Sequence, residues 1–277
     1  MVSETWQALH DELARWRDAG RTVDFWWRDD DATHWTPALE RLVDLAQAMD
    51  VPIALAVVPA TADRALFSRL HERHEDVVVL QHGVDHRNRG GDAVDGAHGA
   101  HGAHGANAAE STKRTEFAPT EPGNDALVRI AAGRARLATL AGARMLAVLA
   151  PPWNRLPPTL AARLPEAGMH GLSTFGARPS AGRAPGITQV NTHVDLVAWR
   201  DGRGFVGTQA ALNQALRHLV ARRTGRADPG EPTGWLSHHL QHDEAAWGFI
   251  AELLEATRQN PAVRWHSARA LFAPPAG

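Results

Sequence analysis

Three consecutive carboxylates, Asp29, Asp30 and Asp31, follow Arg28 and the apolar residues 25–27, which favour an extended and buried strand. Burying an isolated carboxylate is very costly, so we expect the strand to end at a polar site where the acids begin. A bound cation there would offset the repulsion among the three charges. A solvated turn that caps the next helix is the alternative that these residues alone leave open.

Two later stretches supply imidazoles that could join these carboxylates. His82 and His86 are four residues apart, and His238 lies in a second histidine-rich stretch. On a helical turn, a four-residue spacing places two side chains on one face, where they could bind a single ion. Two imidazoles and one carboxylate with an open position are typical of a catalytic zinc site, in which a second carboxylate acts as base and a histidine as acid.

Composition limits the chemistry and the class of protein. The chain has 277 residues, of which 44% are hydrophobic, and no cysteine, so any metal must be held by histidine and carboxylate. The net charge of −2 argues against a nucleic-acid-binding surface. No secretory signal and no apolar run of spanning length is present, so we expect no membrane span and a cytoplasmic location. The oligomeric state cannot be predicted from the sequence.

Strand and helix patterns alternate about seven times along the chain, which predicts parallel strands. Polar or titratable residues follow several of these strands, namely Asp30, Asp31, His82, Trp153, His193, Asp195 and His238. Several strand ends that supply one site are typical of a (β/α) barrel, so we predict a single barrel domain over residues 1–277. An open doubly wound sheet is the alternative, although no glycine-rich phosphate loop follows the first strand.

Residues 90–124 interrupt this pattern with a repeated Ala-His-Gly triplet at 97–105. Low complexity and a high glycine content cannot build a core, so we predict a surface insertion rather than a specific metal site. Residues 92–108 are expected to be dispensable for folding. The less repetitive residues 113–117 are expected to dock back onto the fold.

The order of these motifs resembles that of the polysaccharide deacetylases of the NodB-homology type, carbohydrate esterase family 4. Members carry an Asp-Asp strand end, then His-Ser/Thr-x-x-His, Arg-x-Pro-aromatic, an Asp-containing motif and Leu-x-His. The matching stretches here are residues 28–32, 82–86, 150–153, Asp195 with Trp199, and 236–238. The resemblance covers residues 22–265 and implies a distorted, TIM-like (β/α)7 barrel.

The resemblance also implies a role for each matched residue. Asp30 is expected to be the catalytic base and His238 the general acid, while Asp31, His82 and His86 bind zinc or another divalent metal. The candidates for substrate binding or support are Trp153, Asp195, Arg155, Arg28 and His193. Of these, Trp153 is placed where an aromatic face could stack on a sugar ring, and His193 could equally belong to the core.

Two positions depart from the motifs of the family. Gly83 replaces the usual serine or threonine, so a hydroxyl that would brace the histidine loop is missing. Ala150 replaces the arginine that normally helps to hold the catalytic aspartate. Arg28 or Arg155 is a candidate substitute for that arginine.

The register of the three aspartates remains open by one residue. Neighbouring residues of an extended strand point to opposite sides, so two adjacent carboxylates share a site only where the backbone turns. Asp30 as base with Asp31 as ligand is the preferred register, and Asp29 as base with Asp30 as ligand is the alternative. In the preferred register we expect an Asp29→Asn substitution to change metal affinity and turnover little.

Together with these residues, the resemblance implies a metal-dependent hydrolase that removes an acyl group, with acetyl the first candidate, from an N-acylated amino sugar or glycoconjugate. The loss of the motif arginine at Ala150 motivates an alternative, a catalytically inactive barrel that binds a carbohydrate or a partner protein. A metal hydrolase that acts on another amide or ester is the third hypothesis.

Overall fold

A sheet of nine short strands forms the centre of the fold in the computed structural model, which describes residues 4–73, 77–90, 113–179 and 185–273. The strands are β1 (Val23–Ala32), β2 (Ala54–Val57), β3 (Val78–His82), β4 (Met145–Ala150), β5 (Gly171–Leu172), β6 (Thr188–Gln189), β7 (Val194–Asp195), β8 (Thr233–Ser237) and β9 (Val263–Trp265). The helices are α1 (Glu4–Asp18), α2 (Pro37–Ala48), α3 (Arg64–Arg73), α4 (Gly123–Ala141), α5 (Pro158–Ala161), α6 (Thr208–Arg223), α7 (Glu244–Arg258) and α8 (Ala268–Leu271). The Ala-His-Gly repeat lies outside the described residues.

The strands lie in the order β6-β5-β4-β3-β2-β1-β8-β7, with β9 beside β1, and these pairings are parallel. β6 and β7 lie at opposite ends of this order but are joined only by residues 190–193. The N–H of Val190 donates to Leu172 beside β6, and that of His193 donates to Gly234 of β8. This segment links the two edges of the curved sheet, which confirms the predicted distorted barrel rather than the open sheet.

Side chains along β1 alternate between the interior of the barrel and its outer face. Trp26 packs inside, with small side chains of β2 and β4, whereas Trp27 packs outside, in the cluster that includes the helices. Because the side-chain period of a strand is two, Arg28 and Asp30 share the inward face with Trp26, and Asp29 falls on the outward face. β1 therefore carries an arginine and an aspartate into the barrel.

The longer helices cover the outer face of the sheet, and α2, α7 and α8 each begin at a side-chain cap. Thr36 accepts the N–H of Leu39 at the start of α2, and Asp243 accepts that of Ala246 at the start of α7. Asp243 also accepts the N–H of Phe205, which ties the loop after β7 to α7. In the described ranges, no helix combines the length and the apolar character that a bilayer span requires.

Candidate active site

β1 continues through the aspartates to Ala32, whereas the sequence predicted that it would end where the acids begin. The register against β2 passes from Asp29 opposite Leu55 to Ala32 opposite Val57, so β1 contains one extra residue, a β-bulge. Asp31 has a φ of +70°, in the left-handed region that aspartate tolerates better than most residues. The bulge, and not the end of the strand, allows the side chains of two neighbouring aspartates to line one cleft.

Asp31, His82 and His86 form a cluster at the carboxyl ends of β1 and β3. Asp31 Oδ1 lies 3.1 Å from His82 Nε2 and 3.2 Å from His86 Nε2. Bonds of about 2.0–2.2 Å to one zinc ion place neighbouring ligand atoms about 3.0–3.5 Å apart. The three side chains thus have the types and spacing of a site for a divalent cation.

The orientation of His82 is fixed by the strand beside it. His82 Nδ1 donates to the carbonyl of Ala150 at 3.0 Å, because a carbonyl can only accept. The neutral ring then has a lone pair on Nε2, directed at a carboxylate oxygen of Asp31. Two hydrogen-bond acceptors at this distance require a proton or a cation between them. The three side chains therefore suit a metal ion as ligands.

Arg28 and Asp30 form a buried pair beside this cluster. The guanidinium Nε lies 2.8 Å from Asp30 Oδ1, and Nη2 donates to Oδ2 at 3.0 Å. The same guanidinium donates to Asn154 and to the hydroxyl and carbonyl of Ser173. Arg155 instead donates to the carbonyl of Arg114, so Arg28 is the candidate that contacts Asp30.

Asp29 points away from the Arg28–Asp30 pair and accepts hydrogen bonds from the end of β8 and the residues after it. Its Oδ2 accepts the Ser237 hydroxyl at 2.7 Å and the His239 N–H at 3.0 Å, and His239 Nδ1 lies 2.5 Å from Oδ1. Burial acts to raise the pKa of Asp29, but His239, the charge of His242 and the Ser237 hydrogen bond together outweigh burial, and the pKa is lowered. Because Asp29 is fully engaged on the outward face, the geometry favours the register with Asp30 and Asp31 at the site.

His238 and Asp195 contribute the part of the site that comes from β8 and β7. The ring of Trp199 lies edge-on to that of His238, with 4.7 Å between centroids, and Trp199 Nε1 donates to Asp195 Oδ2 at 2.8 Å. His238 is buried, and its Nδ1 has no hydrogen-bond partner among the described residues. Burial raises the pKa of Asp195, although the charge of His238 and the hydrogen bonds to the carboxylate oppose the shift.

The cluster of Asp31, His82 and His86 lines one cleft of about 730 Å³ together with Asp30, Asp195 and His238. Its lining includes Asp30, Asp31, His82, His86, Trp153, Asn154, Arg155, Asp195, Trp199 and His238. Trp153 lies beside His86, with 4.6 Å between ring centroids, and has a φ of +55°. The predicted site residues therefore meet at one opening, except for Arg28, which is buried behind Asp30, and His193.

His193 lies in a separate buried cluster with His218 and Glu231. Its ring stacks on that of His218, with 3.4 Å between centroids, and its Nδ1 accepts the N–H of Gly234. A neutral His193 then carries its proton on Nε2, 3.5 Å from Glu231 Oε2, and cannot use that nitrogen as a metal ligand. The position of His193 agrees with a core residue and not with a wall of the cleft.

Glu116 is a contributor that sequence reasoning missed. Its Oε1 accepts the N–H groups of Val84 and Asp85 at 2.9 Å each, and so braces the loop between the two histidines. Gly83 has a φ of +56°, and a Cβ built there would lie 1.9 Å from Glu116 Oε2. The carboxylate of Glu116 thus occupies the space beside Gly83. The two residues are far apart in the sequence, and the only hint of this contact in the motif is the missing hydroxyl at position 83. Residues 113–117 dock onto the fold, as expected.

No protein-family model matches the sequence, and no curated protein is significantly similar to it. Solved structures do share its fold. A peptidoglycan N-acetylglucosamine deacetylase matches with a TM-score of 0.53 at 14% identity, over 91% of this chain and 88% of the other. The peptidoglycan deacetylase PdaC of Bacillus subtilis matches with a TM-score of 0.52 at 12% identity, over 90% and 89%. A family 4 carbohydrate esterase of Streptomyces lividans matches with a TM-score of 0.50 at 12% identity, over 87% and 90%. The chain therefore has the fold of the polysaccharide deacetylases and family 4 carbohydrate esterases that its motifs resemble.

Proposed function

We propose that this protein is a metal-dependent hydrolase that removes an acyl group, acetyl in the first instance, from an N-acylated amino sugar. The cluster of Asp31, His82 and His86 carries the proposal, because its three ligand atoms converge beside a separately held carboxylate, Asp30. The fold supports the proposal, since solved proteins that share it deacetylate peptidoglycan. The cytoplasmic location stays a prediction.

In this proposal a divalent cation, zinc in the first instance, is held by Asp31, His82 and His86, where it would polarise the acyl carbonyl and acidify the attacking water. His82 is oriented for this role by its Nδ1 hydrogen bond to Ala150, which places the single proton of the neutral ring on Nδ1 and makes Nε2 the ligand atom. His86 is packed against Trp153, which restricts the orientation of its ring.

Asp30 takes the role of general base. Each of its oxygens is paired with a nitrogen of Arg28, and the bidentate contact fixes the plane of the carboxylate. Each carboxylate oxygen keeps a second lone pair, so Asp30 can accept a proton from the attacking water.

His238 takes the role of general acid and protonates the nitrogen of the departing amine. It lines the cleft together with Asp195 and Trp199, whose contacts hold that wall of the cleft in place. Proton transfer by one positioned side chain contributes about 10²- to 10⁴-fold to a rate.

The test is hydrolysis of N-acetylated amino sugars and their oligomers, with the free amine and acetate quantified. The protein is assayed after chelation and again after zinc is added back. We expect release only in the zinc-loaded protein. Sugar binding without release at any metal loading would support the inactive barrel, and release of acetate from simple esters alone would support the hydrolase of another bond.

A further inference from the structure

Five basic side chains line the cleft in addition to the candidate catalytic groups. They are Lys113, Arg114, Arg155, Arg200 and Arg203. All five are exposed. The chain as a whole carries a net charge of −2, so this concentration of cations is a local feature of the cleft and not a reflection of overall composition.

These cations come from three stretches of the chain, residues 113–114, Arg155 and residues 200–203, and they form two groups. Arg155 donates to the carbonyl of Arg114, which joins the first group. Arg200 and Arg203 belong to the tight loop after β7, closed by the hydrogen bond from Ala198 N–H to the carbonyl of Gly204. The hydrogen bond from Phe205 N–H to Asp243, noted above, anchors this loop to α7, so the second group has a fixed base.

Several of these cations lack the carboxylate partners that other arginines of the chain have. Arg178 pairs with Asp228, and Arg223 pairs with Glu12. The side chains of Lys113, Arg200 and Arg203, in contrast, make no ion pair with any residue in the described ranges. These three unpaired cations in one cleft attract an anion. If a neutral ligand covered them, each would be buried without an opposite charge beside it.

Exposed aromatic rings accompany the cations. Phe175 and Trp199 each expose 42% of their surface, and both line the cleft. Trp199 is held by its hydrogen bond to Asp195. An aromatic face suits the apolar face of a sugar ring, and arginine suits the paired oxygens of a phosphate or a carboxylate.

We propose that the acylated amino sugar carries a negatively charged group, a phosphate ester or a carboxylate, which these five cations bind while the ring lies on the aromatic residues. This inference rests on the proposed function for the identity of the reaction. The binding of an anionic sugar by the cations is measured separately from hydrolysis.

The experiment compares three probes by titration calorimetry on the zinc-loaded protein: N-acetylglucosamine 1-phosphate, N-acetylmuramic acid and the neutral methyl glycoside of N-acetylglucosamine. We expect at least one anionic probe to bind about tenfold or more tightly than the neutral one at low salt, with the preference declining as salt is raised. The phosphate and carboxylate arms identify which anion is preferred.

Two double variants, Arg200→Gln with Arg203→Gln and Arg114→Gln with Arg155→Gln, are the direct test of the cations. We expect at least one of them to lose most of the preference for the anionic probe. Arg217→Gln, an exposed arginine of α6 outside the cleft, is the matched control and should keep it. Equal affinity for neutral and anionic probes, or a preference that survives in both double variants, would overturn the inference.

The outcomes separate this inference from the proposed function. Release of acetate from neutral sugars at the same efficiency as from anionic ones would leave the proposed function standing and overturn the inference. Binding of anionic probes that depends on the five cations, without acyl release at any metal loading, would support the inference and contradict the proposed function.

Discussion

Arg28 and Asp30, two residues apart on β1, form a bidentate pair inside the barrel, with 2.8 Å between Nε and Oδ1 and 3.0 Å between Nη2 and Oδ2. Arg28 is completely buried and Asp30 is 2% exposed. The motif of the deacetylases that this sequence resembles places an arginine where this chain has Ala150. We infer that Arg28 supplies the missing guanidinium from the same strand as the aspartate it holds.

Replacing Arg28 with lysine tests this inference. An ammonium group cannot pair with both oxygens of Asp30 and also bind Ser173 and Asn154, so we expect turnover to fall about 10- to 100-fold while the folded protein keeps its zinc. Arg222→Lys is the matched control, because Arg222 is also buried but lies outside the cleft. That control should lose stability but not the turnover of the folded fraction. Unchanged turnover in the Arg28 variant would contradict the inference.

Asp29→Asn is expected to lower stability, in addition to the small change in metal content and turnover that the sequence predicts. The amide has a single acceptor oxygen, whereas Asp29 receives the Ser237 hydroxyl and both the N–H and the ring of His239 on two. We expect the free energy of unfolding in urea to fall by about 1–3 kcal/mol, since a buried donor loses its partner. Zinc content of the folded variant should be normal. Wild-type stability would show that this buried network contributes little.

The stability of the protein should depend on pH through Glu116. Burial raises the pKa of this carboxyl from 4.5 to about 7, although the N–H of Asp85 and that of Val84 oppose the shift. The folded protein therefore holds the proton more tightly than the unfolded chain, so the contribution is complete below about pH 4.5 and is lost as the pH rises through about 7.

The measurement is the free energy of unfolding of the chelated wild type and of Glu116→Gln at several values between pH 5 and pH 8. Relative to the glutamine variant, the wild type should lose stability by about 2–3 kcal/mol over this range. A constant difference between the two proteins would contradict the raised pKa.

A deletion of residues 92–108 bridged by Gly-Ser should preserve folding and most activity. These residues lie outside the described ranges, but the chain on either side is held together. Arg89 and Gly90 both donate their N–H groups to the carbonyl of Thr115, at 2.7 and 3.1 Å. Thermal unfolding and turnover are the readouts, and loss of a cooperative transition in the deletion variant would show that the tract is structural.

The apolar strand patterns and the strand-helix alternation were sufficient to predict the barrel, because buried parallel strands leave a strong signal in sequence. The predicted end of β1 was wrong, because pairing with β2 carries the strand past the aspartates to Ala32. Local residue chemistry cannot reveal that pairing.

The site was only partly predictable for a related reason. The contact of Arg28 with Asp30 could be predicted from their two-residue spacing once β1 is known to continue. Arg155 belongs to a loop, and its position could not be predicted in this way. His193 follows a strand, as the other candidates do. Its N–H, however, donates to Gly234 near the start of β8, whereas the cleft lies at the carboxyl end of that strand. The brace from Glu116 depends on a contact between distant segments, which one sequence does not show.

The most direct test of the account is the zinc content and turnover of Asp30→Asn and Asp31→Asn, measured on the same preparations. Asp31→Asn should bind zinc weakly, because a neutral amide is a poorer ligand for a dication. Asp30→Asn should keep its zinc and lose about 10²- to 10⁴-fold in turnover, as expected for removal of a general base. Full turnover in Asp30→Asn, or wild-type zinc affinity in Asp31→Asn, would contradict the assignment of base and ligand on which the proposed function depends.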